Sequence, residues 1–254
     1  MNVDAGPGLG YFSNYATIGQ ALGWDGLHFT KNLEVLKHLV QSRLNTLGLA
    51  DAVPPDDIRL FIKDEPIRFS KQNSDRQRLI MCFSLVDQVV DRVLMTTWHD
   101  AERSFMQKPG KSGWSPLPYG YRIFGDVFGR KQVLATDCSS FDWTLPSWVP
   151  PLLLDLRLSL MKADNPRYRA MVRARFTEVL YNATVRLPDG RRFRQVGPGL
   201  MKSGWFRTIE ENSTAQVAIN ALAWIRSQRG PFPALWTMGD DVLLEWPETA
   251  NQQA

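Results

Sequence analysis

Adjacent acids at a turn, and a second pair beyond the end of a strand, are the residues of this sequence best suited to chemistry. In Leu235-Trp-Thr-Met-Gly-Asp-Asp-Val-Leu-Leu-Glu-Trp246 two short apolar runs flank Gly239-Asp240-Asp241. Gly-Asp between such runs reads as a two-residue hairpin loop, because glycine supplies the positive φ that a primed turn requires. The tip then holds Asp240 and Asp241 close together, and their repulsion calls for a cation or a buried proton. Alone, such a step is an ordinary surface turn. Its company matters more. Gln132 to Thr136 reads as a strand whose end delivers Asp137-Cys-Ser-Ser-Phe-Asp142, two carboxylates flanking a turn. Ser203-Gly204 opens a helical stretch on which Thr208 and Asn212, four residues apart, share one face.

The elements that must position these residues follow from periodicity and punctuation. From Thr30 as N-cap, Leu33, Leu36, Val40, Leu44 and Leu47 recur at helical steps until Gly48. Ile58 to Ile62 and Leu79 to Phe83 read as strands, and the loop between them carries Lys63, Arg68, Lys71, Arg76 and Arg78 over a groove. Ser84 with Asp87 makes a capping box for a scaffold helix lined by Val86, Val89, Val90, Val93 and Leu94. Pro109 to Gly129 is a Gly- and Pro-rich connector. Pro150-Pro151 suits the first turn of a helix to about Ala163, and Asn165-Pro166 caps another to Leu180. Ala183 to Leu187 and Arg192 to Val196 pair across Pro188-Asp189-Gly190. The long helix that follows runs to Arg229, where Gly230 ends it. Strands, hairpins and helices in this order predict an α+β domain on an antiparallel sheet.

Bulk composition sets limits. An apolar fraction of 44% with 22% charged residues over 254 positions is that of a globular chain with a large core, not a disordered one. Net charge is +4, a mild bias toward polyanions. The excess is concentrated between Arg167 and Lys202, where nine Lys or Arg face two acids. That run is either a solvated face or a surface that tracks phosphates. Two cysteines, Cys82 and Cys138, and three scattered histidines offer no thiolate or imidazole metal site and fit a reducing compartment. The uncharged run from Ala5 to Trp24 holds five glycines and is no membrane span. Lacking a basic region before it, it is no signal peptide either.

Taken in order, Asp137-x4-Asp142, Ser203-Gly204-x3-Thr208-x3-Asn212 and Gly239-Asp240-Asp241 resemble motifs A, B and C of the palm of viral RNA-dependent RNA polymerases. Lys63-Asp64-Glu65-Pro66 through Arg76-x-Arg78-Leu79-Ile80, followed by Ser84-Leu-Val-Asp-Gln88, is similar to their motif F in the form used by sobemovirus- and polerovirus-like positive-strand RNA viruses. Lys202-Ser203-Gly204 fits the same group, and Asp4-Ala-Gly-Pro-Gly8 is similar to its motif G loop, where Ser-Ser-Pro-Gly would match better. The resemblance spans nearly the whole chain. It implies an α+β right-hand polymerase palm, an antiparallel sheet backed by helices, with fingers and without a thumb. Residues 1–130 would be the fingers region with the G-like and F-like loops, and 131–163 the palm with motif A. Residues 164–196 would be an insertion with a basic hairpin, and 197–254 the palm with motifs B and C.

The implied activity is template-directed transfer of a nucleoside monophosphate from an NTP to an RNA 3′-hydroxyl, with two Mg²⁺ or Mn²⁺ ions. Asp137 and Asp240 would be the principal ligands and Asp241 would support them, since hard cations take carboxylate oxygens. Asp142 and Asn212 would meet beside the incoming sugar and recognise its 2′-hydroxyl, with Ser203 and Thr208 supporting that network. Lys63, Arg76 and Arg78 would grip the triphosphate. Gly6, Pro7, Gly8, Lys71, Lys202 and Gly204 would contact RNA. A reverse transcriptase would carry an aromatic-x-Asp-Asp in place of Met238-Gly-Asp-Asp241. The expected partners are template and nascent RNA, NTPs and other viral replication proteins, at replication complexes in the host cytoplasm. Only thirteen residues follow Asp241, short of a motif D, a motif E and a thumb, so the chain reads as a fragment with little or no processive activity. Two other readings stay open: a basic RNA-binding module whose carboxylates are structural, and a two-metal nuclease that needs no NTPs.

Overall fold

A computed structural model describes residues 2–63, 65–66, 77–162, 165–228 and 230–246. Its contacts divide the chain into two compact units, one of Met1–Leu94, Arg157–Pro198 and Lys202–Phe206, the other of Met95–Leu156, Gly199–Met201 and Arg207–Ala254.

The first unit holds helices α1 (Ile18–Leu22) and α2 (Leu33–Thr46) and strands β1 (Ile58–Ile62) and β2 (Leu79–Cys82). It also contains the N-terminal half of α3 (Leu85–Ser104). Helix α2 starts at Asn32 rather than Thr30, because the Thr30 hydroxyl donates to Gly23 O at 2.8 Å and ties the preceding loop to α1 instead. At α3 the Ser84 hydroxyl accepts from Asp87 N at 3.1 Å, the expected cap. Val86, Val90 and Leu94 are buried, whereas Val93 turns outward, so the packed face is narrower than the run of valines suggests.

Strands β1 and β2 form an antiparallel hairpin with Ile62 opposite Leu79. The other edge of β1 pairs in parallel with β4 (Thr184–Arg186), which turns back antiparallel into β5 (Arg192–Arg194). Helix α7 (Pro166–Leu180) is capped as expected, Asn165 Oδ1 accepting from Tyr168 N at 3.1 Å. Its Arg175 is buried among Asp91 at 2.6 Å, Glu178 at 3.0 Å and Asp87 at 3.2 Å, and Arg43 of α2 reaches Asp87 at 3.0 Å. A buried charge of this kind is tolerable only when paired on all sides.

Much of the basic run from Arg167 to Lys202 is already engaged within the chain, while Arg173, Arg191, Arg192 and Arg194 are exposed. Arg167 donates to the carbonyls of Leu44, Asn45 and Leu47, satisfying the orphan groups at the end of α2. Arg169 donates to Leu158 O and Met161 O, Arg186 and Arg192 pair with Asp57, and Arg191 pairs with Asp189.

The second unit holds the C-terminal half of α3, α4 (Tyr121–Phe128), β3 (Val133–Thr136), α5 (Phe141–Thr144) and most of α6 (Val149–Leu160). It is completed by α8 (Thr208–Ser227), β6 (Leu235–Met238) and β7 (Asp241–Glu245). The three strands form an antiparallel sheet in the order β3-β7-β6. Trp236 of β6 anchors its core, with ring centroids 5.5 Å from Trp114, 5.5 Å from Phe124 and 5.4 Å from Phe128.

The expected antiparallel sheet is β3-β7-β6, and the first unit adds a second, larger sheet that includes the parallel pair β1-β4. One expectation needs correction. The stretch from Pro109 to Gly129, read as a connector, contains a kinked turn at Pro116–Gly120 and helix α4. Among the described residues no helix is long and apolar enough to cross a membrane.

Candidate active site

Strands β6 and β7 are joined by Gly239 and Asp240, with Met238 paired to Asp241. Gly239 has φ 66, the positive value at the first loop residue that a tight hairpin of this kind requires. On the other side of β7, β3 pairs so that Thr136 lies opposite Val242. One residue further in that register, Asp137 comes level with Asp241. Three carboxylates from two distant stretches of the sequence thus gather at one end of the sheet. Burial, then the charges of Asp240 and Asp137, push the Asp241 carboxyl above the usual range. Among the described residues no three acidic, His or Cys side chains stand close enough to form a closed metal cage.

Asp142 sits at the start of α5, just after Ser140, which adopts φ 56 to turn the chain out of the strand. Asn212, in the second turn of α8, donates its amide to Asp142 Oδ1 at 2.8 Å. The other end of that amide, Asn212 Oδ1, is buried and has no hydrogen-bond partner among the described residues. Burial pushes the Asp142 carboxyl up, the bond from Asn212 opposes this, and the nearby charge of Asp240 adds to it. Asp142 therefore lies within the field of the same acidic cluster. Thr208, half-buried, is the first residue of α8.

Two residues of this site went unread in the sequence. Ser213 accepts from Gly239 N at 2.9 Å through its hydroxyl, and its carbonyl takes the Thr237 hydroxyl at 2.8 Å. Gln216 donates to the Asp240 carbonyl at 2.9 Å and to Cys138 Sγ at 3.2 Å. The available signal was compositional: Glu210, Glu211, Asn212, Ser213 and Gln216 crowd one end of a helix whose buried face should be apolar.

The remaining candidates belong to the first unit. Lys63 and Arg78 meet where the connection between β1 and β2 leaves and returns, Lys63 N donating to Arg78 O at 2.8 Å. Both side chains face Glu65, at 2.7 Å and 3.7 Å, and Glu65 is held below the usual range chiefly by its bond from Lys63. Lys71 and Arg76 lie outside the described residues. Ser203 accepts from Met81 N of β2 at 3.2 Å.

Four of the residues assigned to RNA contact have a packing role in the structure. Lys202 is fully buried and donates to Gln195 Oε1, and burial lowers its pKa to about 7. Gly204 approaches β2 so closely that a Cβ would stand 2.0 Å from Met81 O. Pro7 and Gly8 are buried, Pro7 O accepting from Leu85 N at 2.7 Å and a Cβ on Gly8 falling 2.3 Å from Phe83 O. They fasten the N-terminal loop onto the start of α3. Gly6, beside them, is half-buried.

No family model matches the chain. Relatives are nonetheless clear. It is 32% identical to protein P2-P3 of Poinsettia latent virus, over 85% of this chain and 22% of the relative. It is 31% identical to the replicase polyprotein P2AB of Southern cowpea mosaic virus, over 87% of this chain and 22% of that one. It is also 30% identical to the RNA-directed RNA polymerase of Mushroom bacilliform virus, over 82% of this chain and 50% of that one. Among solved structures, the Sicinivirus 3Dpol RNA dependent RNA polymerase superposes with a TM-score of 0.68 at 20% identity, covering 96% of this chain and 50% of its own. The chain thus spans about a fifth of the first of these viral polyproteins and half of the mushroom-virus enzyme. Over the part of them that it spans, the chain is a relative of the sobemovirus- and polerovirus-type replicases in both units, and it has the fold of a viral RNA-dependent RNA polymerase.

Proposed function

We propose that this chain carries the nucleotide-adding centre of a viral RNA-dependent RNA polymerase. It would transfer a nucleoside monophosphate from an NTP to the 3′-hydroxyl of a nascent RNA paired to an RNA template. The observation that carries this reading is the convergence of Asp137, Asp240 and Asp241 at one end of β3 and β7, with Asp142 and Asn212 joined beside them.

The donors are all carboxylate oxygens, without a thiolate or imidazole among them, which suits Mg²⁺ or Mn²⁺ rather than zinc. When bound, two such ions stabilise the attacking 3′-oxygen and the departing pyrophosphate. Asp137 and Asp240 would provide the principal oxygens and Asp241 would assist, relieving the repulsion that adds to burial in raising its own pKa. Asn212 keeps its amide hydrogen on Asp142 and offers its buried oxygen to a ribose 2′-hydroxyl. Deoxyribose would leave that oxygen unpaired, so the pair favours ribonucleotides. Lys63 and Arg78, with Arg76, supply cations for the triphosphate, Glu65 releasing them as phosphate oxygens take its place. Ser203 and Thr208 support this arrangement. The partners are RNA, NTPs and other viral replication proteins, in the host cytoplasm.

The test is single-nucleotide extension of a primed RNA template with Mg²⁺ and NTPs. Asp240→Asn is expected to slow addition on the order of a hundredfold or more, the scale of losing one group that meets developing charge, while RNA binding is retained. Addition at the parental rate by Asp240→Asn would leave the carboxylates structural and the chain an RNA-binding module. Breakdown of the RNA without NTPs would make it a nuclease.

A further inference from the structure

Past Thr136 the ladder between β3 and β7 stops, yet Asp137 must still be held against the tip that carries Asp240. Helix α8 meets both turns through one side chain. The amide nitrogen of Gln216 donates to the Asp240 carbonyl at 2.9 Å and to Cys138 Sγ at 3.2 Å. Its two hydrogens match the two acceptors. One acceptor is the peptide between the adjacent acids of the hairpin, and the other belongs to the residue directly after Asp137. Gln216 is buried, so its amide is shielded from exchange with bulk water. Three residues earlier on the same helix, the Ser213 hydroxyl donates to Ile209 O at 2.6 Å and accepts from Gly239 N at 2.9 Å. Ser213 thus fixes the hairpin tip, and Gln216 links that tip to the turn beyond β3.

From this geometry we infer that Gln216 is a positioning residue, which sets the spacing between the carboxylate of Asp137 and those of Asp240 and Asp241 by clasping the backbone of one turn and the cysteine of the other. It touches no reacting atom. Its effect is on how well the acids are arranged to share a divalent cation, so the inference rests on the polymerase reading of those acids. The hairpin is independently paired from Leu235 to Leu244, and β3 from Val133 to Thr136, so the strands themselves do not need Gln216.

Binding of Mn²⁺ to the chain, without nucleotide or RNA, separates the possibilities when followed by calorimetry or by the spin resonance of the free ion. Gln216→Met keeps the length and apolar stem of the side chain and removes both donors. It is expected to weaken Mn²⁺ binding about tenfold, the lower end of what losing an outer partner of a metal ligand costs, while cooperative melting persists. Nucleotide addition by the same variant is expected to fall at low Mn²⁺ and recover as Mn²⁺ is raised, which a loss of folding would not allow. Parental affinity in a folded Gln216→Met overturns the inference. If Gln216→Met does not fold, Cys138→Ala decides, since it leaves α8 intact and removes one acceptor. A smaller weakening supports the inference and an unchanged affinity overturns it. Asp240→Asn serves as the reference: if it binds Mn²⁺ as the parental chain does, the polymerase reading of the acids has failed, and with it the premise rather than the clasp.

Discussion

Asn212 commits one end of its amide to Asp142 and leaves the other buried and unpartnered among the described residues. An unsatisfied buried acceptor costs about 1–3 kcal/mol, and a donor that reaches it recovers that amount. A ribose hydroxyl is such a donor. Asn212→Ala is therefore expected to lower the preference for NTP over dNTP by about ten- to a hundredfold, read as the ratio of kcat/KM values. A preference that does not change would remove Asn212 from sugar recognition. The spacing Thr208-x3-Asn212 was readable because four residues on a helix define a face. The role of Gln216 was not readable, because a glutamine in a helix is normally a solvated surface residue, and its value here comes from two acceptors supplied by the turn beyond β3 and the hairpin.

Among the elements, the short-range signals held best. The two-residue turn at Gly239-Asp240, the cap at Ser84 and the cap at Asn165 are each decided within a few residues of the chain. The parallel pairing of β1 with β4 joins segments more than a hundred residues apart, and no local pattern encodes it. Helix α4 was missed because Pro116, Pro118 and flanking glycines read as breakers, although they only bracket it. Close approach of elements is a further level hidden from composition. Gly204 lies where a Cβ would meet the backbone of β2 at 2.0 Å, so Gly204→Ala forces the strand and the loop apart. Overpacking of this kind typically costs about 1–3 kcal/mol. A lower denaturant midpoint with unchanged slope would show it, and an unchanged midpoint would mean the loop moves freely. The stretch read as an RNA contact is thus expected to report on stability first.

For the molecule as a whole, charge was the least faithful guide. Lys202 counts toward the net +4, yet it is fully buried and burial lowers its pKa to about 7, against an ordinary value of 10.5. Between those values the unfolded chain binds a proton that the folded chain does not, so this group adds stability as pH rises. Its contribution is complete above the unfolded value and is lost as pH falls through about 7. Lys202→Met is expected to melt higher than the parental chain at pH 6.5, with the gap closing by at most about 1.4 kcal/mol per pH unit toward alkaline conditions. A gap that stays constant with pH would mean the ammonium is not desolvated. The same lesson extends along the run that contains it. Seven of the nine basic side chains from Arg167 to Lys202 already engage a carboxylate, a carbonyl or an amide of this chain. A phosphate arriving there would have to displace a partner, an exchange of one contact for another that frees few condensed ions. Ionic strength should therefore loosen the hold on a polynucleotide far less steeply than a simple tally of lysines and arginines implies.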